Sequence, residues 1–148
     1  KAVGYLIRRL HNLIVPHAEA IFADEELTFS HWVALVSLRD GLTQTCSDIA
    51  RHMDHDSGAT TRMVDQLEAR GLVKRVRSTQ DRRVVKLSLT ADGRAVAKEL
   101  TPRILDFWNG VLKDFSTSEV TVLIDLLTRL LSRVEAEIHP QKVRGIAR

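Results

Sequence analysis

One cysteine, Cys46, excludes an internal disulfide framework and any all-cysteine metal site in this 148-residue chain. It also fits a reducing compartment such as the cytoplasm. No run reaches the roughly 18 uninterrupted apolar residues that a membrane-spanning helix needs, so no membrane partner is expected. The first residues lack the pattern of a signal peptide. They read instead as an amphipathic helix that carries His11, Asn12 and His17. Position 1 is not methionine, so the numbering is expected to begin inside the natural chain. There is no internal repeat and no low-complexity stretch. No P-loop, dinucleotide fingerprint or nucleophile–base pair is found either, which argues against an enzyme.

What is present is an ordinary globular composition, 44% apolar and 28% charged. The length suits one domain, or one domain with a dimerisation extension. The net charge is only +3, but it is unevenly placed. Residues 57–90 hold eight basic side chains (Arg62, Arg70, Lys74, Arg75, Arg77, Arg82, Arg83, Lys86) against three acids (Asp65, Glu68, Asp81), a net of +5. The rest of the chain carries 14 basic and 16 acidic residues. Such concentration is the footprint expected for a polyanion partner, although a solvated basic face would look the same.

Hydrophobic spacing predicts the elements. Over residues 3–21, Val3, Leu6, Ile7, Leu10, Leu13, Ile14 and Ile21 form one helical stripe, with Pro16 a candidate kink. A second helix is expected over 30–39, capped by Ser30 and stopped at Asp40-Gly41. Thr45 to Asp48 fits a capping box that opens a short helix ending at Met53. Asp56-Ser57 can cap another, which Gly71 stops. These two short helices form a helix-turn-helix candidate. The period then changes to two. Residues 73–77 and Val85, Leu87 and Leu89 read as strands around a polar basic tip, a hairpin of the kind called a wing. Thr90 should cap a long helix, with Pro102 predicting a kink or break near residues 98–101. Ser116 or Ser118 should cap the last helix, which His139-Pro140 ends.

The first and last helices pose a problem for a monomer. Neither belongs to the winged unit, and each carries an apolar stripe that needs a cover. Packing them against a second copy is the economical solution.

The residues that bear on identity are Ile49-Ala50, the run Thr61-Arg62-Met63-Val64-Asp65-Gln66-Leu67-Glu68-Ala69-Arg70-Gly71, then Arg75, Asp81-Arg82-Arg83 and Leu89-Thr90-Ala91-Asp92-Gly93. In their spacing they resemble the MarR (multiple antibiotic resistance regulator) family of winged helix-turn-helix transcriptional regulators. The resemblance covers the central half of the chain. It implies a mainly α fold with a small β-hairpin wing and long N- and C-terminal dimerisation helices. On this reading 1–148 is a single domain: 1–40 and 91–140 form the helical dimerisation region, and 42–90 the DNA-binding lobe. It also implies a cytoplasmic homodimer on the double-stranded DNA of a pseudo-palindromic operator. Repression relieved by a small aromatic or phenolic ligand is the usual mode. A winged-helix protein-interaction module, or a redox-sensing regulator using Cys46, is the alternative.

A recognition helix presents its N-terminal residues to the major groove. Here those are Ser57, Thr60, Thr61 and Arg62, with Gly58 and Ala59 small enough for close approach. Arg62 suits guanine O6/N7, or a phosphate. In the resembled family the arginine at the place of Arg83 enters the minor groove. Asp81 could hold the tip by accepting from Arg83 or Arg75. Arg75, Arg77, Arg82, Lys74 and Lys86 are expected near phosphates. Family ligands sit between the dimer helices and the winged unit, so the candidate lining is His11, His17, His31, Trp32 and Trp108. Each of these would equally serve as core. Oxidant-sensing relatives carry their cysteine in the first helix, where this chain has none. His52 and His55 have a ligand-like spacing but no third ligand, so neither a metal nor a cofactor is expected.

Overall fold

Among its described residues the computed structural model has six α-helices and one two-stranded antiparallel hairpin, in the order ααααββαα. It describes residues 2–79, 81 and 83–138. Arg82 and the expected helix end at His139-Pro140 therefore lie outside the described residues. The fold class is that of a winged helix-turn-helix: mainly α, with the hairpin as wing.

The chain divides into two compact units, Lys1–Leu105 and Asp106–Arg148. In the first, α1 (Val3–Phe22) runs into a 3-10 turn (Ala23–Glu25) and then α2 (Phe29–Arg39). The cap of α2 is Thr28 and not Ser30. The Thr28 hydroxyl accepts from the His31 N–H at 3.2 Å, and His31 Nδ1 accepts from the Thr28 N–H at 3.1 Å. This is a capping box with histidine in the place of Glu or Gln, which is why its spacing escaped the sequence reading. Gly41 (φ +72°) then closes α2, with the Leu42 N–H donating to the Ser37 carbonyl at 2.9 Å.

Helix α3 (Cys46–His52) opens on the expected box of Thr45 and Asp48. Burial works against the Asp48 charge. Donors from Thr45 and the Gln44 backbone, together with the Arg51 guanidinium, nevertheless hold its carboxyl below the usual carboxylate range. Asp54, at φ +50°, turns the chain into α4 (Ser57–Ala69). Asp56 caps α4 by accepting from the Ala59 N–H at 3.0 Å. Gly71, at φ +70°, ends it, and the Leu72 N–H reaches back to the Leu67 carbonyl at 2.9 Å. That bond folds Leu72 into the core and starts the wing.

Strands β1 (Val73–Arg77) and β2 (Val85–Leu89) pair with Val73 opposite Leu89 and Arg77 opposite Val85. The Leu87 N–H also donates to the Gln44 carbonyl at 2.8 Å, which ties the wing to the turn before α3. The core of this unit joins Phe22, Leu35, Ile49, Val64 and Leu67 to Val73, Leu87 and Leu89 of the hairpin and Leu100 and Ile104 of α5 (Ala91–Leu112). Thr90 caps α5, accepting from the Gly93 N–H at 3.0 Å.

The break expected near Pro102 does not occur, and Pro16 does not interrupt its helix either. Each proline frees one carbonyl four residues back, of Asn12 and Lys98, and both of those residues are exposed to water. Around Pro102, buried Leu100 and Ile104 anchor the helix on either side.

In the second unit the end of α5 carries Phe107 and Trp108, packed edge to face at 5.3 Å. Ser116 and Glu119 form a reciprocal cap for α6 (Thr117–Ile138). The apolar positions of α6 are uncovered: Ile124, Leu127, Leu131 and Ile138 are all at least half exposed.

Candidate nucleic-acid interface

The first turn of α4 is exposed, apart from Thr60. Ser57, Gly58, Ala59, Thr61 and Arg62 all face solvent. The Thr61 hydroxyl donates to the Ser57 carbonyl at 2.9 Å, which leaves its oxygen lone pairs outward. Thr60 must be withdrawn from the expected DNA contacts. It is fully buried, and its hydroxyl donates to the Asp56 carbonyl at 2.9 Å. Helical spacing explains this, because Thr60 shares its face with buried Met63, Val64 and Leu67.

Arg75 must also be withdrawn as a phosphate contact. The hairpin register places Arg75 on the same face as Val73 and Leu87, the face that packs on α4. There its guanidinium donates to Asp65 Oδ1 at 2.6 Å and to Glu68 Oε2, while its own N–H donates to Glu68 Oε1. The hydrogen bond that Arg75 donates to Asp65 is the first of the causes that hold the Arg75 charge, ahead of the opposing cost of burial. Arg75 therefore fixes the wing to the recognition helix. Replacing it with Met keeps the stem and removes both ion pairs. We expect this to lower the unfolding free energy by about 1 kcal/mol, since the pairs are partly exposed. Urea denaturation of Arg75→Met beside wild type checks this, and an unchanged midpoint would remove the clamp.

The remaining wing cations are outward. Lys74 and Lys86 lie on the opposite face of the hairpin, beside exposed Val76. Arg77 and Arg83 are exposed toward the tip. The tip is a main-chain construction. The Val84 N–H donates to the Asp81 carbonyl at 3.0 Å, and the Asp81 carboxylate accepts from the Arg83 N–H at 2.9 Å. Asp81 thus closes an Asx turn on the backbone of Arg83, where its guanidinium or that of Arg75 was expected.

These features coincide with the segment that known proteins share. The MarR family profile matches residues 27–85, from the foot of α2 to the first residue of β2. YdgJ of Bacillus subtilis strain 168, an uncharacterized HTH-type transcriptional regulator, is 33% identical over 88 residues, 60% of this chain and 54% of YdgJ. The matched stretch thus spans about half of that relative's length. A mutant of MarR from E. coli in complex with operator DNA shares the fold at TM-score 0.77 and 26% identity, over 87% of this chain and 93% of that one. The chain resembles the MarR family over residues 27–85 and shares the fold of its solved members. A further MarR-fold structure, BpsR of Bordetella bronchiseptica, is 27% identical at TM-score 0.78, over 88% of this chain and 93% of that one. It concerns the regulation of BpsR DNA binding by 6-hydroxynicotinic acid.

The residues expected to line a MarR-type ligand pocket are distributed over α1, α2 and α5. His11 and His17 are exposed on α1. Trp108 is exposed in the second unit. Trp32 stacks on Phe22 at 5.8 Å and lies 5.6 Å from Phe29, and its buried Nε1–H has no hydrogen-bond partner among the described residues. His31 is a correction. Both its ring nitrogens are engaged, Nδ1 by Thr28 and Nε2 by Gln66 Oε1 at 3.1 Å. It is a buried structural group rather than a free ligand donor.

Sequence reading missed two pins on the corner between α1 and α2. Arg70 donates to the Glu25 and Glu26 carbonyls at 2.6 Å each. Arg103 reaches Asp24, Glu25 and Glu99. The acidic run Asp24-Glu25-Glu26 is the only sequence signal for them. Cys46 sits half-buried at the first position of α3, against the core. Among the described residues no three His, Cys, Asp or Glu side chains converge on a point that could hold a metal ion. No described helix is long and apolar enough to cross a membrane.

Proposed function

We propose that this chain is a homodimeric, sequence-specific DNA-binding transcriptional regulator of the cytoplasm. It represses transcription until a small aromatic or phenolic ligand relieves it. The observation that carries the reading is the paired presentation of cations: Arg62 on an N-capped helix start, with Arg77, Arg83, Lys74 and Lys86 on a hairpin clamped to that helix. The operator complex of the E. coli relative supports it. A protein-binding winged helix would instead present neutral or apolar surfaces at these places. The uncovered apolar stripes of α1 and α6 support a second copy of the chain as their cover. For the effector, support comes from BpsR and from the unpartnered indole N–H of Trp32, which an acceptor on a ligand could satisfy.

In this reading α4 enters the major groove of each half-site and the wing tip reaches the neighbouring minor groove. Lys74 and Lys86 on the outer face of the hairpin, with exposed Arg77 toward its tip, position the protein on phosphates without reading sequence. Electrophoretic mobility shift on fragments of genomic DNA, with and without competitor, tests the core of the reading. Retardation of a discrete fragment that survives excess competitor supports it. Uniform or absent retardation sinks it. Arg62→Ala should lower the ratio of specific to non-specific affinity by roughly 1–3 kcal/mol for each half-site. A proportional loss on both kinds of DNA would instead make Arg62 a phosphate contact.

A further inference from the structure

We propose that Arg70 sets the separation of the two recognition helices in the dimer, and with it the half-site spacing that the protein accepts. This deepens the reading just given and rests on its homodimer. Helix α1 is held to its own subunit by one end. Of its residues only Ala18 and Phe22 are buried, and none from 3 to 17 is. Val64 and Leu67 of α4 join the core with Leu35 of α2 and Leu100 of α5, so α4 is firmly seated. The direction of α1 relative to α4 is therefore decided at the corner over residues 23–28. A second copy packed on the stripe of α1 converts that direction into a distance between two α4 helices. The unburied part of α1 is roughly 22 Å long. A tilt of about 10° at the corner moves its far end by about 4 Å, close to the roughly 3.4 Å rise of one base pair.

The corner turns on Glu26. Among the described residues only Glu26 (φ +53°) and Asp54 combine a side chain with positive φ, a left-handed conformation that L residues rarely adopt. The carbonyls of Glu25 and Glu26 belong to the peptide planes on either side of the Glu26 Cα. Arg70 Nη2 donates to the first and Nη1 to the second, both at 2.6 Å. One planar guanidinium thus fixes the two planes relative to each other, and so the φ and ψ of Glu26. Local bonds complete the corner. The Leu27 N–H donates to the Phe22 carbonyl at 3.3 Å, and Glu19 Oε2 accepts from the Phe29 N–H at 3.1 Å. Arg70 is the C-cap of α4, roughly 12 Å along the axis from Arg62 at the end that meets DNA. It acts on the spacing of the helices and not on the duplex.

The test uses operator duplexes with the half-sites at their own spacing or moved one base pair closer or further apart, and a duplex with a single half-site. Arg70→Lys keeps the charge but loses the fork that spans two carbonyls. The preference of wild type for the operator's own spacing, read by fluorescence anisotropy, should shrink about three- to tenfold in the variant, the scale of one net hydrogen bond. Affinity for the single half-site and the log–log salt slope should stay as in wild type. An unchanged spacing preference overturns the role of Arg70. So does an equal loss on every duplex with a smaller salt slope, which would make Arg70 a DNA contact. The second measurement needs no DNA. Spin labels on Thr61→Cys in a Cys46→Ser background report the separation of the two α4 helices by pulsed EPR. Arg70→Met should broaden or shift that distance by several ångströms, and identical distributions overturn the role. A wild-type protein that shows no such distance sinks the dimer and the role of Arg70 together. A distance that Arg70→Met changes, in a protein that retards no operator, defeats the DNA reading alone and keeps Arg70 as the spacer of the dimer.

Discussion

Gly93→Ala is expected to destabilise the protein by about 2–4 kcal/mol, and so to lower its melting temperature by roughly 10 °C. A Cβ built on Gly93 would lie 2.0 Å from the Leu72 carbonyl oxygen and 2.9 Å from its carbon. The obstacle is backbone, so no side-chain rotation relieves it. It is also backbone with other duties. The Leu72 carbonyl accepts from the Thr90 N–H at 3.1 Å, and Thr90 in turn caps α5 through the Gly93 N–H. Making room would move the start of the wing away from the start of α5 and break the cap. The intrinsic gain of alanine over glycine in a helix, about 1 kcal/mol, does not offset this. Gly110→Ala in the same helix is the control. Nothing lies within 4 Å of its added Cβ, so it should be neutral or slightly stabilising. Thermal unfolding followed by circular dichroism checks both. If Gly93→Ala melts with wild type, the close approach of α5 to the wing is wrong.

Gly93 also shows why much of the fold could be read from sequence. It ends the Leu89-Thr90-Ala91-Asp92-Gly93 run, in which the cap and the close approach are both local demands on residue type. The same holds for Thr45 with Asp48, for Asp56, and for Gly41 and Gly71 at positive φ. A capping hydroxyl or a left-handed glycine acts within four residues, so its signature survives in the linear sequence. What escaped depends on long-range placement. Arg75 reads as one more basic wing residue until the register puts it beside Val73, over Asp65 and Glu68. Thr60 reads as a polar residue at a helix start until helical phase turns it inward. Strict alternation along β1 and the 3.6-residue period of α4 held both answers. Residue type alone put Arg75 with the other wing cations and Thr60 with the other polar residues at the helix start, and burial separates them. His31 was hidden differently, because an imidazole at the third helical position is an unusual capping partner. The stripes of α1 and α6 were legible as apolar, because helical spacing is a local property of each segment.

Arg83→Ala is expected to weaken operator binding by about 2–4 kcal/mol, on the order of a hundredfold, with the dimer intact. An arginine in a narrow minor groove is held by the enhanced negative potential there, and a twofold-related pair of wings would lose that interaction twice. Two features make this a clean experiment. The turn that carries Arg83 is built from the main chain: the Asp81 carboxylate accepts from the Arg83 N–H, and the Asp81 carbonyl accepts from the Val84 N–H. Removing the side chain therefore leaves the tip folded. Arg83 is also exposed and far from the stripes of α1 and α6 in sequence, so self-association should be untouched. Asp81 beside DNA is then no paradox, since its charge is spent on ordering the turn. Fluorescence anisotropy on an operator duplex at about 150 mM salt reads the affinity, and sedimentation equilibrium reads the dimer. The log–log salt slope should shrink by roughly two, one cation per wing. Arg83→Lys keeps the charge but not the planar fork, so it should recover the slope and only part of the affinity. If Arg83→Ala binds the operator as wild type does, the wing stands clear of the groove, and recognition would have to come from the exposed start of α4 alone.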